Sequence, residues 1–409
     1  MSEKRPPGFK TLAESKLSPK EELLMVKSGK TNFTIGLPRE ISLDENRISL
    51  TPEAVALITA RGHEVIIETE AGNGCKYSDH EYSEAGGRIV ESPKEAYAAD
   101  VVLKIEPPAL PELEFFRPFQ MVISALQMGN LKLDYIEKLQ EKKVTAMAYE
   151  FIEEKSGGMP IVRAMSEIAG STVLSIASEY LSSARNGKGI ILGGITGVPP
   201  TKVVLIGAGT VTEFAARAAI SLGAEIQVFD NHLYKLRRLK HSLGQQFYTS
   251  TIDAGLLSAS LKTADVVIGA LRAEKGKVRH VVSEDMVCGM KPDSLIIDLS
   301  IDQGGCIATS EITTHSNPVF RKHNVIHYCV PNVASRVART ATTALSNIFT
   351  PIILRAFAEG GVEQMIFSHR WFMKGVYVYK GNLTNEIIAR RLGISHKNID
   401  LLLAVRDSL

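Results

Sequence analysis

The chain of 409 residues is marked first by what is missing. No run approaches the roughly 18–20 consecutive apolar residues of a membrane span. The opening stretch, Met1 to Lys20, is polar, carries Lys4, Arg5, Pro6 and Pro7, and lacks the apolar centre of a secretion signal. A cytoplasmic location is the default expectation. Charge of one sign is also missing: Lys+Arg number 47 against Asp+Glu 45, a formal net charge of +2. That balance gives no argument for nucleic acid or an anionic membrane as partner. The four cysteines, Cys75, Cys288, Cys306 and Cys329, include no Cys-x-x-Cys pair. Free thiols in a reducing compartment are expected, not a disulfide framework. The ten histidines give no reason to expect a metal site. Repeats of solenoid period and low-complexity tracts are absent. What is present is 44% hydrophobic content, enough for two or three domains with a large core.

The most informative segment is Val203-Val204-Leu205-Ile206-Gly207-Ala208-Gly209-Thr210, with Asp230 following 23 residues after Gly207. An apolar run ends in Gly-x-Gly, a helical stretch follows, and a second apolar run ends in an acid. That is the order of parts in a dinucleotide-binding βαβ unit. Gly207 permits a tight turn out of the strand. Gly209, without a Cβ, lets a diphosphate approach the backbone. A helix starting at Thr210 aims its free N–H groups at that phosphate. Asp230 accepts from a ribose diol and repels a 2′-phosphate, which favours NAD over NADP. The third glycine of the fingerprint is replaced by Thr212.

Around this unit the chain alternates strands and helices. Residues 1–32 read as an extension with one short helix over Leu17 to Lys27. Strands are expected at 33–37, 64–67, 101–105, 121–126 and 144–148, then at 202–206, 225–230, 265–269, 294–298 and 324–330. Long helices are expected from Met165 to Arg185 and from Arg336 to Glu359. The fold class that follows is α/β: two Rossmann-like, doubly wound parallel-sheet domains joined by two long crossing helices, with a cleft between them. The expected division is 33–164 plus 345–409 as a substrate domain and 165–344 as an NAD-binding domain.

Ligands of open α/β sheets sit beyond the carboxyl ends of the strands. Three side chains qualify there. Arg47, in the loop after the first strand, can take a carboxylate with two parallel hydrogen bonds, or be a solvated loop arginine. Lys104 closes an apolar strand and either faces a substrate or is ion-paired. Asp302, between a strand and Gly304-Gly305, suits acid–base work or contact with a substrate amine, or else forms a turn with its own backbone. Ser166, expected at the start of a long helix, either caps it or touches a phosphate.

Taken with Ile35-Gly36-Leu37-Pro38-Arg39-Glu40, Glu45-Asn46-Arg47-Ile48-Ser49-Leu50-Thr51-Pro52, Arg61-Gly62-His63-Glu64-Val65, Met165-Ser166-Glu167-Ile168-Ala169-Gly170 and Ile301-Asp302-Gln303-Gly304-Gly305-Cys306, these segments resemble the alanine dehydrogenases. They also resemble the related NAD-binding alpha subunit of nicotinamide nucleotide transhydrogenase. The resemblance implies NAD as cofactor. It implies Arg47 on a substrate carboxylate and Asp302 beside the nicotinamide and the reacting carbon. Ser166, Gly207, Gly209, Thr210 and Asp230 would line the NAD site, and Asn332 would close it. The implied reaction is oxidative deamination of an L-amino acid to a 2-oxo acid and ammonia, by a homo-oligomer, hexameric or dimeric.

Two positions depart from the alanine dehydrogenase pattern. The second lysine of its Lys-Val-Lys-Glu-Pro stretch is Glu106 here, and its acid–base histidine is Gln127. Glutamine does not shuttle protons near neutral pH. Glu106 would repel a substrate carboxylate by roughly 1–4 kcal/mol at ~4 Å. Lys104 or Asp302 would then take over proton transfer. The alternatives are the NAD(H)-binding component of a transhydrogenase, which needs no such histidine, and a catalytically silent NAD-binding protein.

Overall fold

The computed structural model describes residues 32–404 apart from Leu43, 155–156 and 273–278. The short helix expected over Leu17 to Lys27 lies outside the described residues.

A strand joined to its neighbour through a helix must return in the same direction, so strand–helix alternation produces parallel sheets. The first sheet takes β1 (Thr34–Leu37), β2 (Glu64–Glu68), β3 (Arg88–Val90), β4 (Val101–Leu103), β5 (Met121–Ser124) and β6 (Thr145–Ala148). The second takes β7 (Lys202–Ile206), β8 (Glu225–Phe229), β9 (Tyr248–Ser250), β10 (Val266–Gly269), β11 (Leu295–Asp298), β12 (Val319–Lys322) and β13 (Val325–Tyr328). The chain then returns to the first sheet with β14 (Val376–Tyr379) and β15 (Asn382–Leu383). The orders are β15-β14-β6-β5-β4-β1-β2-β3 and β12-β13-β11-β10-β7-β8-β9. All pairings are parallel except those of β12, β14 and β15. Each sheet winds outward in both directions from its first strand. The reversals, between β1 and β4 and between β7 and β10, open crevices at the strands' carboxyl ends.

The central strands are buried on both faces, which accounts for their continuous apolar sequences. β3, β9, β12, β14 and β15 were not expected. β3, β9, β12 and β15 are edge strands of two to four residues, and β14, of four, lies next to the edge between β15 and β6. β14, Val-Tyr-Val-Tyr, pairs antiparallel with β6, more than 200 positions earlier in the chain.

Four helices position the cleft. α1 (Pro52–Thr59) starts as expected, with Thr51 accepting from the Ala54 N–H and Pro52 in the first turn. α2 (Pro160–Leu181) begins five residues before the expected Met165, because Pro160 takes the first helical position. Its Ile161 packs into the first core, while Val173, Leu174 and Ile176 pack into the second. α3 (Thr210–Ser221) follows the Gly-x-Gly turn. α4 (Ala338–Ala358) lies on the first sheet, with Leu345, Phe349 and Ile353 in that core. The return crossing is made just before it, in the turn Val333–Val337, whose Val333 belongs to the second core.

A buried charge cluster ties the loop after β1 to the loop after β4. Lys104 is 1% exposed, with its Nζ 3.1 Å from Glu40 Oε2 and 3.2 Å from Glu112 Oε1. Its third N–H faces the Arg39 carbonyl at 3.5 Å. Glu40 also accepts the Ile105 N–H at 2.7 Å and the Glu106 N–H at 3.4 Å. Glu112 takes the Tyr97 hydroxyl proton and the Ala109 N–H, both at 2.7 Å. Of the two readings of Lys104, the ion-paired one describes its surroundings here: every ammonium proton has a protein acceptor. Its evident work is to hold two buried carboxylates and, through Glu40, the loops they support.

Burial, offset in part by Lys104, raises the Glu40 carboxyl from 4.5 to about 7. Between those values the folded chain binds more proton than the unfolded chain, so this group removes stability as pH climbs from 4.5 to about 7. A Glu40→Gln variant lacks that slope. Its stability relative to the parent is expected to improve steadily over the window in urea melts at stepped pH. A difference that is flat with pH would show that Glu40 does not titrate there.

Candidate active site

The two crevices meet across one short junction. Glu45, in the loop after β1, is fully enclosed and grips Arg47 with both oxygens: Oε1 accepts from Nε at 2.7 Å and Oε2 from Nη2 at 2.6 Å. The same Oε2 accepts from Nδ2 of Asn332, on the second-sheet side, at 2.6 Å. Nearby, the Asn46 N–H donates to Ser335 Oγ, and Ser335 Oγ donates to the Asp44 carbonyl. Burial disfavours the Arg47 charge, but the bonds and charge of Glu45 outweigh it and hold the guanidinium ionised. Nη1 also points at Met165 Sδ, 3.3 Å away. By count, one hydrogen on each of Nη1 and Nη2 has no partner among the described residues, and such donors suit a carboxylate. Arg47 is thus no solvated loop arginine. It is a buried, oriented cation.

Glu106 and Gln127 share the first-sheet wall of the cleft. Gln127 Nε2 donates to Glu106 Oε1 at 3.3 Å. Gln127 has φ 48°, a left-handed conformation that a non-glycine residue holds only when its surroundings require it. Glu150 supplies part of that support by accepting the Leu126 N–H at 2.7 Å and the Gln127 N–H at 3.4 Å. Burial and the neighbouring charge of Glu45 raise the Glu106 carboxyl, while Gln127, Arg47 and Lys104 pull it back.

Across from them stands the turn Ile301–Gln303. A Cβ added to Gly129 would lie 2.6 Å from the Asp302 carbonyl oxygen, so the loop bearing Gln127 and the turn bearing Asp302 touch. Asp302 is open to the cleft, yet the protein around it raises its carboxyl above the ordinary range. Asp298, wholly buried at the end of β11, shapes this turn. Its oxygens accept the Ser300, Cys306 and Ile307 N–H groups and the Ser310 hydroxyl. Sequence reading passed over Glu45 and Asp298. Asp298 carried a signal, an acid closing an apolar strand, the same one that drew attention to Asp230.

On the second sheet, Gly207 has φ 101°, and a Cβ there would lie 2.5 Å from the Ala270 carbonyl oxygen. Gly209 differs: a Cβ there meets nothing within 4 Å. It is the N-cap of α3 and offers no side chain, so the helix's first N–H groups face open space beside Thr210. This cradle fits a diphosphate. Thr212, buried, donates its hydroxyl to the Gly207 carbonyl at 2.5 Å and so fits the third glycine's place by bonding inward. Asp230 is 3% exposed. Its Oδ2 accepts the Ala208 N–H at 2.7 Å, and its Oδ1 takes the His232 N–H at 2.7 Å and faces His232 Nδ1 at 3.0 Å. That leaves one lone pair on Oδ2 for a sugar hydroxyl, where two bonds to a diol had been expected. Ser166 sits in the second turn of α2 and donates to the Val162 carbonyl at 2.7 Å. It therefore does not cap the helix, and phosphate contact requires the hydroxyl to turn.

An open groove of about 570 Å³ beside the junction is lined by Asn46, Lys76, His315, Ser335, Arg336 and Arg339, among others. It includes none of Gly207, Asp230 and Asp302 and is separate from the Gly-x-Gly turn. Three of the four cysteines are buried and Cys288 is exposed; all are free thiols. His323 and His327 have the four-residue spacing of some metal ligands, but His323 pairs with Glu284 and His327 with Thr309. Among the described residues no group of three or more side chains is arranged to hold a metal, and no helix is long and apolar enough to cross a membrane.

Comparison with known proteins agrees with this architecture. Residues 36–169 match the family model for the alanine dehydrogenase/PNT N-terminal domain, and residues 173–386 match the one for the C-terminal domain. Alanine dehydrogenase of Lysinibacillus sphaericus is 36% identical over 371 residues, 90% of this chain and 99% of that protein. Alanine dehydrogenase of Methanococcus maripaludis is 36% identical over 358 residues, 87% of this chain and 95% of that protein. A solved L-alanine dehydrogenase superposes with a TM-score of 0.82 at 32% identity, covering 87% of this chain and 98% of that one. A transhydrogenase from Sinorhizobium meliloti superposes at 0.73 with 23% identity, covering 86% and 99%, a likeness of fold. The chain belongs to the alanine dehydrogenase/PNT family.

Proposed function

We propose that the chain is an NAD-dependent amino acid dehydrogenase that converts an L-amino acid to a 2-oxo acid and ammonia. The carrying observation is the position of Arg47: a buried guanidinium, fixed by Glu45, with its remaining N–H edge free at the meeting of the two crevices. That edge suits the α-carboxylate that every amino acid and oxo acid presents. The turn after β7, with Gly207, Gly209 and Thr210, would hold the cofactor's diphosphate, Asp230 one hydroxyl of its ribose, and Ser166 and Asn332 the cleft side. NAD, when bound, supplies the hydride acceptor. Asp302 is the anionic group across the cleft and would face the substrate's amino group; Asp298 keeps its turn in shape. Asn332 joins the loop of Arg47 to the second domain, so the carboxylate site and the cofactor site are aligned by one hydrogen-bonded junction. Residues 33–164 with 345–409 form the substrate side in this reading, and 165–344 the cofactor side. The chain works in the cytoplasm as a homo-oligomer.

The transhydrogenase reading draws on Glu106 and Gln127 alone, and the relatives at 35–36% identity are alanine dehydrogenases.

NADH oxidation with ammonium and a panel of 2-oxo acids tests the proposal. Turnover with at least one is expected, and Arg47→Lys should raise KM for that acid about tenfold or more, about 1.4 kcal/mol per decade. No turnover across the panel would end the reading. The cradle has its own test in two glycines. Gly209→Ala is expected to keep Tm within about 3 °C of the parent, since its methyl meets open space, yet weaken NADH binding about tenfold or more in calorimetry. Gly207→Ala should lose stability outright. Unchanged NADH affinity in Gly209→Ala would place the diphosphate elsewhere.

A further inference from the structure

Imine hydrolysis needs a group that can hold and return a proton, and most titratable side chains near Arg47 are committed. Glu45 is enclosed and grips Arg47 and Asn332. Lys104 is enclosed by Glu40, Glu112 and the Arg39 carbonyl. Glu40 is taken up by Lys104 and two backbone N–H groups. Tyr149 donates its hydroxyl to the Ile105 carbonyl at 2.8 Å. Glu106 stands apart. It is half-buried just past the end of β4 and, among the described residues, its Oε1 takes only a long bond from Gln127 and its Oε2 has no protein donor.

We propose that Glu106, steadied at one oxygen by Gln127, is the catalytic residue that carries protons between water and the substrate nitrogen. The proposal rests on the dehydrogenase reading above. The substrate ammonium first gives one proton to water; loss of hydride to NAD from the Cα of the resulting amine then leaves an iminium, C=NH2+. Water adds to that carbon: the new C–O bond forms, the C=N pair moves to nitrogen, and the water proton passes to the Glu106 carboxylate. Glu106 returns it to the nitrogen of the carbinolamine. The C–N bond then breaks with its pair leaving on ammonia, an oxygen pair closes the carbonyl, and the hydroxyl proton returns to Glu106. Ammonia takes that proton and leaves as ammonium. The products are one oxo acid and one ammonium, with the charge of the iminium conserved.

The charges around Glu106 suit this cycle. Burial first, and then the charge of Glu45 from the loop after β1, favour its protonated form. Arg47 from the same loop and Lys104 from its own strand favour the carboxylate, and Asp302 faces the cleft from the other domain. The result is a carboxyl lifted above its usual range but still able to ionise. An amide suits the position of Gln127: it donates to Glu106 without competing for the proton.

The test is Glu106→Gln, close in shape to the parent side chain, alongside Glu106→Asp and Asp302→Asn. In the deamination direction Glu106→Gln should lower kcat about 100-fold or more and remove the acid limb of the kcat/KM profile, with NADH affinity little changed. Glu106→Asp should recover part of the rate and restore the limb. Asp302→Asn should lose rate but keep the limb. A carboxyl infrared band absent from Glu106→Gln should titrate above the ordinary glutamate range in the free parent enzyme. An acid limb that survives in Glu106→Gln, or a Glu106 band that titrates at the ordinary value, would overturn the assignment while leaving the dehydrogenase reading intact. A parent enzyme that turns over no oxo acid would sink that reading and this proposal with it.

Discussion

The carboxylate of Glu45 is the point on which the site depends. It fixes Arg47 with two short bonds and reaches Asn332 of the second domain with a third. Removing Glu45 would leave a buried guanidinium without its counter-ion, a loss of about 3–5 kcal/mol for pairs of this kind. It would also cut a direct bond between the two lobes. Orientation of the Arg47 cation and one of the ties between the two crevices therefore share a single carboxylate. A loop that bound Arg47 without Asn332 would rest on the Ser335 bonds to Asp44 and Asn46 alone, and the guanidinium itself would have no tie across the junction.

The fold was legible where the strands are buried on both faces. Val203 to Ile206 and Ile296 to Asp298 have no exposed side to decorate with polar residues, so their composition announces them. Edge strands carry no such constraint. Arg88–Val90 and Tyr248–Ser250 are short and partly exposed, and nothing local separates them from loops. Val376–Tyr379 has strand composition, but what makes it a strand is β6, and that partner is distant in sequence. Helix starts followed their caps: Thr51 with Pro52 was readable, whereas Met159 before Pro160 makes no side-chain cap bond and the start was placed late.

The site was legible in a different way. Gly207 and Gly209 have backbone requirements that a sequence states directly, one a positive φ and the other open space at Cβ. Lys104 kept two readings open because a lysine after an apolar strand looks the same whether it faces a ligand or two carboxylates. Glu40 and Glu112 decide the matter from other loops. Glu45 is hidden for the opposite reason: only two residues from Arg47, it reads as ordinary loop charge until folding seals both from water. Asp230 follows β8, where the spacing put it, but its grip on the Ala208 N–H, which shapes the Gly-x-Gly turn, cannot be read from spacing.

Charge counting explains why the first-sheet wall is poised for chemistry. Four carboxylates, Glu40, Glu45, Glu106 and Glu112, stand near two cations, Lys104 and Arg47. In water such an imbalance is screened; in a partly desolvated wall it is expressed as proton affinity. Burial is the larger cause of the raised carboxyls of Glu40 and Glu106; the charge of Glu45 adds to it and the cations oppose it. Glu40 is closed off by Lys104 and backbone donors, so its proton serves only the stability of the loops. Glu106 is reached from the cleft, so the same imbalance gives it a proton to exchange with whatever binds there. A lysine in its place would complete the charge balance and leave that wall without a proton acceptor. With glutamate at 106 and glutamine at 127, the wall keeps a carboxyl oxygen facing the space that Arg47 and Asp302 define.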